Sequence, residues 1–216
     1  MSFVTGSQSE TLFAGPQTDT QAAGTATTGY LQVAGTISTT QALVQGATLI
    51  SGGSGFVQPF FQAGMFLNRT THARVRAYGT VGSTGGTATT ATFTVGTATA
   101  PQATTVGAAT GAITLITSPA FTVTSFAAGT PWFLDCDLLC KGGGYGTTAG
   151  STVMLTCGSA EITPNVAGDL GAVMVPQVTT TMDASVTQWV WVAVTFSTAV
   201  ATNTCQCQAI FAYGMN

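Results

Sequence analysis

Residues 132–141 follow a period of two, with one side wholly apolar. Trp132, Leu134, Cys136, Leu138 and Cys140 fall on one side of an extended chain, and Phe133, Asp135, Asp137, Leu139 and Lys141 on the other. Gly142, Gly143 and Gly144 then stop the pattern. A period of two belongs to a half-buried strand, and a glycine run permits the tight turn that ends it. The same alternation recurs through Ala73, Val75 and Ala77 against Arg74, Arg76 and Tyr78. It returns in Ala91, Phe93 and Val95, in Val153, Leu155 and Cys157, and in Cys205, Cys207, Ala209, Phe211 and Tyr213. Residues 189–196 are apolar at nearly every position, as in a strand covered on both faces. No segment carries a sustained helical stripe with caps. Many short strands separated by Gly-, Ser- and Thr-rich turns predict an all-β chain folded as a jelly-roll-like antiparallel β-sandwich. The expected core is Val75, Phe93, Trp132, Leu134, Cys136, Leu138, Val190, Val192 and Phe211.

The first part of the chain differs from the rest. Residues 18–28 read TDTQAAGTATT, without a strong period, and residues 51–55 are rich in glycine. Residues 1–55 are therefore expected to form an extended N-terminal arm with isolated short strands, and residues 56–216 the sandwich domain. Leu12, Phe13, Tyr30 and Leu31 are apolar residues that such an arm must bury against something. They are the candidate contacts to a neighbouring subunit or to a capsid.

Charge sharpens the functional reading. Charged residues make up 5% of the chain, against about 25% in ordinary soluble domains. Thr, Ser, Gln and Gly supply the polarity instead. A surface so poor in charge is cheap to dehydrate and prone to associate, which suits permanent assembly. The net charge of −3 and the lack of a basic stripe argue against nucleic acid. No polybasic amphipathic segment or long apolar run suggests a membrane. Residues 1–10 lack the charged and apolar regions of a secretory leader, so synthesis in a host cytoplasm is expected. Five cysteines, an odd number, then fit free buried thiols.

Signals for chemistry are weak. His72, the one histidine, sits at the polar entry to a strand with no nucleophile elbow nearby. Asp135 and Asp137 share a strand face, so both would lie on one side of any glycosidic bond rather than flanking it. The cysteine pairs lie inside apolar strands rather than on metal knuckles. The glycine runs lack the Lys-Ser/Thr of a phosphate loop. Trp132, Trp189 and Trp191 could offer a sugar-stacking platform, though a sandwich core uses such residues more often. The expectation is a protein without catalytic residues, metal or cofactor.

The run HARVRAYGTVGST at 72–84, then ATFTVG at 91–96 and TPWFLDCDL at 130–138, resembles the head-decoration (cement) and minor structural proteins of tailed double-stranded DNA bacteriophages, especially those that infect actinobacteria. The resemblance covers roughly residues 56–216 and rests on pattern and composition. It implies a homotrimer attached to the major capsid protein on the outside of a viral capsid. The alternative it leaves is a tail or fibre component of the virion that recognises a host-surface glycan.

Overall fold

The computed structural model describes residues 9–16, 31–34, 42–43, 59–67, 71–84, 89–100, 111–124, 126–142, 151–162, 173–198 and 202–215. Thirteen strands are found among them: β1 (Ser9–Pro16), β2 (Leu31–Ala34), β3 (Ala42–Leu43), β4 (Phe60–Phe61), β5 (His72–Ser83), β6 (Thr90–Ala98), β7 (Ile113–Thr117), β8 (Phe121–Thr122), β9 (Phe126–Gly142), β10 (Ser151–Ile162), β11 (Val173–Asp183), β12 (Gln188–Phe196) and β13 (Thr204–Met215). One 3₁₀ turn, Met65–Leu67, follows β4.

The strands form two antiparallel sheets. The larger runs β1-β13-β5-β9-β10-β11, with β2 also on β13. The smaller runs β3-β12-β6-β7, with β4 on β12 and β8 on β6. The jelly-roll-like feature is the closure of the chain on itself. The early pair β5 and β6 splits between the sheets and meets the last pair, β13 and β12.

Alternation decides which side chains enter the interior. On β5, Ala73, Val75 and Ala77 are buried, and on β9 so are Trp132, Leu134, Cys136, Leu138 and Cys140. From the smaller sheet Phe93, Val95, Val190, Val192 and Val194 meet them in one cluster. The Phe93 and Trp132 rings stack at 4.8 Å and bridge the sheets. Trp132 Nε1 donates to the Thr80 carbonyl at 3.1 Å, so its burial leaves no unpaired donor. The continuous apolar reading of β12 also matches its position, since Val190 to Val194 are buried at every residue. Trp191 lies on the opposite side from the main core, over Gly96. A Cβ at Gly96 would fall 2.0 Å from that ring and 2.4 Å from the Ile113 carbonyl.

Phe211 corrects one expectation. It is half-buried and lies on the outer face, while Ile210 and Ala212 are buried. The pairing of β13 with β5 shifts register between Cys207 and Ala209, leaving Gln208 as the extra residue of a bulge. A bulge inverts the alternation beyond it. Cys205 and Cys207 therefore point inward, and past the bulge the inward set becomes Ile210 and Ala212.

The stretch 1–55 contributes edges. β1 and β2 pair with the outer side of β13, and β3 pairs with β12. Leu12 and Phe13 lie in β1, where the register shifts between Thr11 and Phe13, and Leu31 opens β2 opposite Cys207. Tyr30 lies outside the described residues.

Ile210→Ala is expected to cost about 2–4 kcal/mol of unfolding free energy, and Phe211→Ala about 1 kcal/mol. Urea unfolding of the two variants checks the bulge, because an unbroken alternation would reverse their order.

Candidate functional site

The register of β13, β5, β9, β10 and β11 lays the outer face of the larger sheet out as a lattice. One row runs Tyr213, Arg74, Asp137, Cys157, and the next runs Phe211, Arg76, Asp135, Ser159, Met174. A row to one side places Tyr78 opposite Phe133, and a row to the other places His72 opposite Leu139. Alternation puts all these residues on the side away from the core.

Opposite charges stand directly across β5 and β9. Arg74 donates from Nε to Asp137 Oδ1 at 2.7 Å and from Nη2 to Oδ2 at 2.9 Å, a two-pronged contact. Arg76 Nε donates to Asp135 Oδ2 at 3.0 Å. His72 Nε2 lies 3.1 Å from Asp137 Oδ1. Asp135 Oδ1 is buried without a hydrogen bond and faces Arg74 Nε at 3.5 Å. Burial pushes the Asp135 carboxyl above its ordinary value, against the pull of Arg74 and Arg76. Burial pushes Asp137 the same way, but hydrogen bonds from Arg74 and His72 outweigh it and hold that carboxyl below its ordinary value.

Aromatic rings border the charges. Tyr78 and Phe211 stack at 5.9 Å, and Phe211 and Tyr213 stack at 5.9 Å. Tyr78 is 39% exposed, Leu139 40% and Met174 72%. The face thus joins a neutralised charge network to an aromatic stack and a thioether.

The other sequence candidates are placed elsewhere. Trp132 and Trp191 are buried, so the three tryptophans make no common exposed platform. Trp189 packs on Phe60 at 5.1 Å. Burial drives the Cys136 and Cys205 thiols well above their usual range, so they stay protonated and poor as metal ligands. Cys140 Sγ contacts the Phe66 carbonyl at 3.2 Å.

Reading the strands singly places Lys141 beside the two aspartates but misses their partners. Arg74 and Arg76 lie about sixty positions earlier, and only the β5–β9 register brings them opposite. The signal was present as an i, i+2 basic pair and an i, i+2 acidic pair on two alternating strands.

No protein-family model matches the chain, and no curated protein matches it. One solved structure to which it is similar is the CBM2 module of Lactobacillus casei BL23 phage J-1 evolved Dit. That match has 11% identity over 97% of each chain and a TM-score of 0.38.

The two carboxylates should respond oppositely to acid. Asp137, with its lowered folded pKa, stabilises above its unfolded value of about 3.9, and that contribution disappears as pH falls through the folded value. Asp135, with its raised folded pKa, contributes stability below its unfolded value that is lost as pH rises through the folded one. Asp137→Asn is expected to cost about 1–2 kcal/mol at pH 7, with the gap to the native chain narrowing below about pH 4. Asp135→Asn should cost less at pH 7, because the amide avoids the burial penalty on charge. Urea unfolding at pH 7 and pH 3 measures both.

Proposed function

We propose that this chain is a non-enzymatic structural protein of a bacteriophage virion, a capsid decoration protein that oligomerises and sits on the outside of the head. The observation that carries the reading is the outer face of the larger sheet. Tyr78, Phe211, Tyr213, Arg74, Arg76 and Met174 share it, and these residue types are enriched where protein surfaces meet. The low charge of the whole chain supports the same reading, as does the resemblance carried by residues 72–84, 91–96 and 130–138.

The mechanism is mechanical. A trimer of sandwiches lies over a junction between subunits of the major capsid protein and ties them together. Each charge of the pairs Arg74–Asp137 and Arg76–Asp135 already faces an opposite charge within the sheet, so covering them strands no single charge. Tyr78 and Met174 supply apolar area at little dehydration cost. Affinity then grows through many copies bound at once. Neither nucleic acid nor membrane takes part in this scheme.

The second reading is a tail or fibre component that binds a host-surface glycan. Tyr78 favours it, since an exposed tyrosine beside polar groups is also what a sugar ring stacks on.

Purified virions of the phage that encodes the chain should carry it on the head by antibody labelling. Heads lacking it should bind the added protein on co-sedimentation. The combined variant Tyr78→Ala, Met174→Ser should weaken that binding about tenfold or more while melting at the native temperature. Absence from particles would contradict the proposal, and labelling of tails would favour the glycan reading.

A further inference from the structure

The edge of β13 is long and uncharged. Its twelve residues, Thr204–Met215, include no charged side chain and no proline. An uncharged edge of this kind is a template for another strand, here interrupted by the bulge at Gln208. Here the edge is covered by two short strands from the beginning of the chain. β1 pairs from Ser9↔Met215 to Pro16↔Ala209, and β2 from Leu31↔Cys207 to Ala34↔Thr204.

These registers place Pro16 and Leu31 close together. Their partners, Ala209 and Cys207, are two residues apart, or about 7 Å along a strand. Yet residues 17–30 intervene, a length that can extend about 45 Å. The connector is far longer than the gap, and its reach matches the diameter of about 40 Å expected for a domain of this size. Among the described elements β1 contacts chiefly β13, and to a smaller extent β4.

We infer that the β13 edge is an exchange site, which in the protein's own oligomer receives β1 from a second copy of this chain in the same antiparallel register. β2 stays on its own subunit at Thr204–Cys207, and the neighbour's β1 occupies Ala209–Met215. Every backbone pair is then the same as within one chain, so exchange costs no hydrogen bond and links the subunits. Pro16, carried by β1, leaves the outermost edge without a backbone donor at that end. Addition therefore stops after one strand.

The inference rests on the assembly reading above, but its test needs no capsid. Thr11 and Tyr213 are direct partners, and opposed strand positions lie close enough for a disulfide. Thr11→Cys and Tyr213→Cys are introduced into separately tagged full-length chains, which are co-expressed and oxidised. The expected result is a disulfide joining the two tags. It should be absent when Thr11→Cys is paired with Thr179→Cys on β11, at the far edge of the sheet. Ala14→Cys with Phe211→Cys, also direct partners, gives a second pair should the first fold poorly. If the double variant Thr11→Cys, Tyr213→Cys closes only within one chain, and co-expressed single variants never join, exchange is overturned. Capsid binding that survives such a result would leave the proposed function standing without it.

Discussion

The rest of the structure depends on the register between β5 and β9. That pairing sets Val75 against Cys136 and Ala77 against Leu134 on the inner face. On the outer face it sets Arg74 against Asp137 and Arg76 against Asp135. A slip of one residue would turn every side chain of one strand to the wrong side. A slip of two would keep the core apolar but leave only one of the two arginines opposite an aspartate. The apolar face thus fixes the parity of the register, and the ion pairs select among the alignments that parity allows. In a chain with 5% charged residues, placing two arginines and two aspartates in this one lattice gives them a specificity that scattered surface charges would lack.

From that register the two surfaces of the larger sheet follow, and the bulge at Gln208 extends the outer one. By inverting alternation it brings Phe211 and Tyr213 out beside Tyr78, while Ile210 and Ala212 fill the interior. The aromatic stack and the charge network become neighbours because one residue is unpaired. A second close approach supports the same sheet. A Cβ at Gly158 would come 1.9 Å from the Asp135 carbonyl, so β10 can lie against β9 there only with glycine. The backbone of Asp135 is thereby held on one side by β10 and on the other by β5.

Most of the fold was legible because alternation is a local signal. Trp132, Leu134, Cys136 and Leu138 announce their common face within one strand, and the run at 189–196 announces burial on both faces. Phe211 was misread because a bulge carries no mark in an alternating sequence; Gln208 looks like any other outward residue. The outer-face site was partly legible. Both charged pairs could be seen, but which strand meets which is decided by the fold and not by spacing along the chain. The edge role of β1, β2 and β3 was hidden for the same reason, since a short apolar segment does not name its partner.

Assembly is the property on which the proposed function and the proposed strand exchange both rest, together with the low charge of the chain and the aromatic, charge-neutralised face of the larger sheet. The mass of the full-length protein in solution, measured by light scattering over a wide concentration range, tests it most directly. A stable species at three times 21.7 kDa is the predicted result. A single species at 21.7 kDa at every concentration would contradict it.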